Sequence, residues 1–163
     1  MHRNLVSAPR SLRGFTLIEV LIVVVILGVL AAIVIPQFTS ASDDAKRTSF
    51  ITNVRSFTQQ AMRYQLDNGE YPADGASGVI PAGFEAYVQE TIWENGTPIG
   101  GVWDAERDSF GVSSAVGVHF DGTGDTRDDA YMVVIDTEID DGDLETGSFQ
   151  HIAANRYYMI VED

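Results

Sequence analysis

Gly14-Phe15-Thr16-Leu17-Ile18-Glu19-Val20, continued by an apolar run to Ile35-Pro36, is the stretch whose reading decides the fold. Residues 15–35 are apolar or small except for Thr16 and Glu19. At about 1.5 Å of rise per residue they make a helix roughly 31 Å long, enough to cross the hydrocarbon core of a bilayer. Glu19 is the anomaly, because a carboxylate in a lipid-exposed span costs on the order of a few kcal/mol unless it is paired, neutralised or close to the headgroups. A cut between Gly14 and Phe15 would create a new α-amine four residues before that carboxylate. An ordinary secretory signal is cut after its apolar region, whereas this candidate cut lies before it and leaves the span in the mature chain. An uncleaved single-pass anchor is the alternative, and it accounts for neither Gly14 nor Glu19.

Periodicity carries the helix further. Phe50, Val54, Phe57, Ala61 and Tyr64 recur at spacings of four and three, one face of a helix, while Lys46, Arg47, Arg55 and Arg63 fall on the other. One helix is expected from about Thr16 to Leu66, with a kink or local melting at Pro36, since proline lacks a donor and clashes with the carbonyl of Ala32. Asn68-Gly69 supplies a left-handed cap and Pro72 prevents continuation.

The charge is unevenly spread. The whole chain has 163 residues and a formal net charge of −14. The three leader arginines, Arg3, Arg10 and Arg13, precede the span, whereas residues 68–163 hold 20 acids against Arg107, Arg127 and Arg156. A basic segment before a span and an acidic one after it follow the positive-inside rule. The N-terminus is therefore expected in the cytoplasm and the acidic domain outside. Such a domain is repelled by phosphate backbones, so no nucleic-acid partner is expected. The chain contains no cysteine, which excludes a disulfide framework and thiolate metal ligands.

The rest of the chain suggests an α+β domain. Residues 81–90 have the composition of a short helix with Phe84 and Val88 inward. Residues 100–103 and 110–120 read as a β-hairpin with its turn at residues 104–108. Residues 128–139 combine a β-branched run with helical spacing of Tyr131, Met132, Ile135 and Ile139. With Asp128 as N-cap, helix is the preferred reading there. Gly142 ends it, and strands at residues 148–153 and 156–162 follow, joined by a turn at Ala154-Asn155. Trp93 and Trp103 are read as core. His2, His119 and His151 are scattered, with no arrangement of carboxylates or glycines that marks catalysis, so no enzymatic activity is expected.

Gly-Phe-Thr-Leu-Ile-Glu followed by the apolar run to Ile35-Pro36 resembles the processing and methylation signal of type IV pilins and type II secretion pseudopilins. Tyr64 with Asn68-Gly69-Glu70-Tyr71-Pro72 is similar to a stretch common at the end of the long pseudopilin helix. The resemblance implies a pilin-like fold, in which a long N-terminal helix, transmembrane in its first half, packs on a small antiparallel sheet. The implied parts are a cleaved leader at 1–14, a transmembrane and filament-core helix at 15–36, its amphipathic continuation at 37–67, and an acidic domain at 68–163.

It also implies a function. Prepilin peptidase would cut between Gly14 and Phe15 and methylate the Phe15 amine. The subunit would wait as a single span in the inner membrane lipid, its domain periplasmic. An assembly platform in that membrane would then add it to a helical filament of identical or related subunits, with Glu19 and Pro36 serving assembly. The missing cysteines and the 68–72 stretch favour a secretion pseudopilus. A type IV pilus subunit or a binding module displayed at a filament tip are the alternatives. Many major pseudopilins bind calcium, and here two acidic loops have the oxygen ligands Ca²⁺ prefers. The turn containing Asp121 and Asp125 is the better candidate and residues 140–145 the weaker, with solvated turns the competing reading of both.

Overall fold

A hydrophobic stripe at spacings of three and four needs a surface to bury against, and in the computed structural model it has one. The structure describes residues 14–162, so the leader residues before Gly14, with their three arginines and His2, lie outside the described residues. Helix α1 (Leu17–Asn68) contributes to two separate units, Met1–Ala41 and Ser42–Asp163.

In the first unit every described side chain is exposed, including Leu17, Leu21, Val25, Leu30 and Phe38. The helical assignment is unbroken through Pro36, so the local melting anticipated there does not occur. Just beyond it, the hydroxyls of Thr39 and Ser40 donate to the carbonyls of Ile35 and Pro36, both at 3.3 Å. This is the back-bonding by which hydroxyl side chains adapt to a helix interior.

The second unit begins inside α1, at Ser42, and not at the helix end. The amphipathic part of the helix is therefore a component of its core. Phe50, Val54, Phe57 and Ala61 are buried as the periodicity requires. Phe50 stacks on Trp103 with ring centroids 5.3 Å apart, and Phe57 meets the same indole edge-on at 5.0 Å. Trp93 and Phe84 complete this aromatic centre, with Phe57 and Trp93 centroids 5.0 Å apart and Phe84 and Trp93 6.1 Å apart. Such rings bury large apolar areas, and each well-oriented pair adds about 0.5–1.5 kcal/mol beyond its area. At its C-terminus α1 ends on Gly69, in the left-handed region at φ 83°, whose N–H donates to the Gln65 carbonyl at 2.8 Å.

The sheet is antiparallel, in the order β1-β2-β4-β3. Its strands are β1 (Val102–Ser109), β2 (Val112–His119), β3 (Phe149–Ala153) and β4 (Arg156–Glu162). Alternation puts Trp103, Ala105, Val116, Val118 and Tyr157 into the main core with the α1 stripe, and Ala115 and Tyr158 into a second, smaller cluster. Helix α3 (Asp129–Ile139) forms where helical spacing outweighs the β-branched run. The Asp128 carboxylate caps it by accepting from Tyr131 N at 3.0 Å, and Met132 and Ile135 are buried.

Two local expectations are corrected. The turn of the first hairpin is at Phe110-Gly111 and not at residues 104–108, which belong to β1. The acids there do not mark a solvated turn, because Asp104 and Glu106 are buried partners of Arg156. The positive φ needed to reverse the chain is at Asp108, Phe110 and Gly111. Residues 82–87 form successive turns, and the short helix α2 (Glu90–Glu94) begins where that segment was expected to end. Gly83, at φ 85°, breaks the helical dihedrals there while Phe84 still reaches the core.

Candidate functional site

The amino-terminal segment carries the sequence signal, and its local geometry is specific. Gly14, Phe15 and Thr16 precede the helix in open backbone, and nothing lies within 4 Å of where a Cβ on Gly14 would be. Phe15 is 81% exposed, so the Gly14–Phe15 bond is accessible. Thr16 is the N-cap, and its hydroxyl accepts from Glu19 N at 3.3 Å. In return, Glu19 Oε2 accepts from Thr16 N and from Thr16 Oγ1, each at 2.8 Å. This is a capping box, with two otherwise unpaired helix-start donors satisfied reciprocally and the negative charge at the positive end of the helix dipole. The carboxylate that is anomalous in an apolar span therefore has a partner within its own chain. Thr-x-x-Glu before an apolar run is a readable signature of that motif, overlooked when Glu19 is considered only as a charge.

Beyond this cap, the described chain has one helix long and apolar enough to cross a membrane. Its exposed face is continuous from Leu17 to Phe38 on all sides. A helix that is apolar all round is stable only when lipid or other helices surround it.

The other sequence-predicted residues are dispersed. Asp121 is exposed and its Oδ1 accepts from Thr123 N at 2.9 Å, a contact that holds its carboxyl below the usual range. Asp125 faces Arg127 at 3.3 Å, and Arg127 also lies 3.8 Å from Asp43 and against the Tyr131 ring. Each of the two acids thus has a local partner, and no third acid joins them in a ligand group among the described residues. His119 ends β2, where burial and the Arg156 charge lower its pKa, and His151 on β3 stacks on Tyr157. They are not brought together with a nucleophile and its base.

On the sheet face opposite the main core, Arg156 Nη1 lies 2.5 Å from both Asp104 Oδ2 and Glu106 Oε1. Tyr158 donates to Asp104 at 2.7 Å, and Ser77 Oγ is 2.6 Å from Asp104 and 2.9 Å from His119 Nδ1. Two acids share one guanidinium, and burial followed by the charges of Asp104 and Asp74 pushes Glu106 up to about 7. Sequence reading missed this network because its members are 77, 104, 106, 119, 156 and 158, which only the sheet register and the loop carrying Ser77 bring together. The three acids that do come within mutual ligand distance are Asp136, Asp140 and Asp141, at the end of α3.

Comparison with known proteins agrees with the amino-terminal geometry. Residues 10–35 match the family described as the prokaryotic N-terminal methylation motif. The chain is similar to the type II secretion system core protein G of Pseudomonas aeruginosa, 42% identical over 81 residues, covering 50% of this chain and 53% of that protein. The same-named protein of Klebsiella michiganensis is 38% identical over 63 residues, covering 39% and 44%. That of Dickeya chrysanthemi is 40% identical over 63 residues, covering 39% and 41%. The chain spans about half the length of the curated relatives it matches, or less. Its capped apolar helix carries the N-terminal methylation motif over residues 10–35, and in that helix and its continuation the chain is similar to type II secretion pseudopilins.

Proposed function

We propose that the protein is a structural subunit of a type II secretion pseudopilus. Prepilin peptidase cuts it between Gly14 and Phe15 and methylates the new Phe15 amine. Before assembly it is anchored in the inner membrane by residues 15–36, N-terminus cytoplasmic and acidic domain periplasmic. The inner-membrane assembly platform then transfers it into a filament of identical or related subunits. The role is structural and not enzymatic.

The observation that carries this reading is the exposure of the whole apolar first part of α1, capped by the Thr16–Glu19 pair and coincident with the methylation motif. Leaving lipid for a bundle of like helices exchanges one apolar surrounding for another, so burial alone barely separates the two states. Polar pairing supplies the bias. In the filament Glu19 accepts the Phe15 ammonium of a neighbour, and breaking such a buried pair on one side costs about 3–5 kcal/mol. The test is Glu19→Ala in cells with an active secretion system. Processing to mature size with loss of sheared filaments is the expected result, and normal filaments would refute the assembly role.

A further inference from the structure

Residues 73–79 lie against the outer face of the sheet on few attachments. Asp74, Gly75, Ala76 and Val79 are exposed, while Pro72 and Pro81 on either side are buried and anchor the ends. Among the described residues, two hydrogen-bonding groups tie the segment to the sheet. The Gly78 N–H donates to the Trp103 carbonyl at 2.8 Å, and the Ser77 hydroxyl enters the buried charged network. Ser77 Oγ donates to Asp104 Oδ2 at 2.6 Å and accepts from Arg156 Nη2 at 3.4 Å. A hydroxyl has one proton, so in its 2.9 Å contact with His119 Nδ1 the imidazole is the donor.

That network has two acids for one cation. The Asp104 and Glu106 side chains are 3% and 4% exposed and share Nη1 of Arg156, whose guanidinium is covered by the Phe110 ring at 5.3 Å. Facing Glu106 are Asp104 and the Ser109 hydroxyl from β1, Arg156 from β4 and Asp74 from the 73–79 segment. Its register partner on β2 is the apolar Ala115, and Tyr158 and His119 join the cluster through Asp104 and Ser77. With Glu106 protonated, Asp104 and Arg156 balance. With Glu106 ionised, the buried cluster carries one uncompensated negative charge, a costly state in a site of low dielectric. Burial, Asp104 and Asp74 accordingly push Glu106 up to about 7.

We propose that residues 73–79 form a pH-sensitive latch, closed on the sheet while Glu106 holds its proton and released when Glu106 ionises against Asp74. Loss of that proton to solvent sets like charges on two facing elements. Glu106 is fixed in β1 by the ladder to β2, whereas Asp74 is on the exposed part of the segment, so the segment is what moves. Lifting it withdraws Ser77 and opens the Arg156 side of the cluster to water, which screens the two acids. The closed form holds a proton that the open form releases, so opening is favoured as pH rises through about 7. This opening is local, and it leaves the aromatic centre around Trp103 and the packing of α1 and α3 intact. It involves neither the amino-terminal helix nor assembly.

The test is hydrogen–deuterium exchange of the full chain in detergent between pH 5.5 and pH 8, with rates corrected for the intrinsic pH dependence of exchange. Protection of the Gly78 amide is expected to fall at least about tenfold over that range, while amides of α1 from Phe50 to Ala61 and of α3 keep theirs. Glu106→Gln, uncharged at every pH, is expected to hold Gly78 protected throughout. Asp74→Asn, an exposed change outside the hydrogen-bonded network, is expected to shrink the fall, and it decides the matter if Glu106→Gln does not fold. Constant protection of Gly78 in the wild-type chain, an undiminished fall in either variant, or an equal fall across α1 and α3 would overturn the latch.

Discussion

Thr16 and Glu19 close a reciprocal pair at the first turn of α1, with the Glu19 carboxylate accepting from both the backbone N–H and the hydroxyl of Thr16 at 2.8 Å. Under the proposed function the same carboxylate, already partnered in the free chain, takes a second role in assembly. Glu19→Gln separates the two, because glutamine keeps the cap and loses the charge. The variant is expected to be processed like the wild-type chain but to form few or no filaments, as judged by electron microscopy of sheared cells. Thr16→Ala, which loses the cap at a cost of about 1 kcal/mol and retains the charge, is expected to assemble with reduced yield.

Gly14 precedes the helix with no atom near its Cβ position, so the site tolerates a side chain sterically within the free chain. A block by Gly14→Leu would then arise in the peptidase and not in the fold. Immunoblots of cells expressing this variant are expected to show full-length precursor alone. A band of mature size would contradict the assigned cut.

Gly117 lies between Asp104 and Tyr158 in the sheet register, directly beneath the Tyr158 ring. A Cβ there would come within 2.1 Å of the Tyr157 carbonyl oxygen and 2.8 Å of Tyr158 Cγ. Gly117→Ala is therefore expected to destabilise the chain by about 1–3 kcal/mol or more, through overpacking and displacement of the tyrosine that donates to Asp104. Urea unfolding in detergent, read by tryptophan fluorescence, measures it.

Glu106 gives a pH dependence whose sign is fixed by its raised pKa. Between the ordinary value of 4.5 and about 7, the folded chain holds a proton that the unfolded chain has released. Unfolding free energy therefore falls as pH rises through that interval, and the contribution is gone above about pH 7. Glu106→Gln removes the titration while Asp104 retains Arg156. The variant is expected to gain roughly 1–2 kcal/mol relative to wild type between pH 5 and pH 8, after allowance for solvent screening. Urea unfolding of both proteins at the two pH values checks this, and parallel profiles would contradict it.

The parts of the fold legible in the sequence are those whose signal is local. The α1 stripe from Phe50 to Ala61, the Asp128 cap of α3, the Gly69 stop and the two C-terminal strands all follow from spacing and turn chemistry over a few residues. The hairpin turn was misplaced because Asp104 and Glu106 look like solvent-facing acids until Arg156, some 50 positions away, is brought against them by β2 and β4. Asp136 was hidden for a similar reason. Its helical position is polar by type, and only tertiary packing makes it a buried carboxylate. At the amino terminus the methylation motif over residues 10–35 is legible in the sequence, whereas the Thr16–Glu19 partnership needs the helix start to be located to the residue.

The central claim is that residues 15–36 become the permanent amino-terminal helix of a filament subunit once the leader is removed. Mass spectrometry of the chain recovered from sheared filaments tests it most directly. The account predicts a mature chain that begins at Phe15 and carries one methyl group on its α-amine. A filament chain that retains residues before Phe15, or that begins after Glu19, would contradict it.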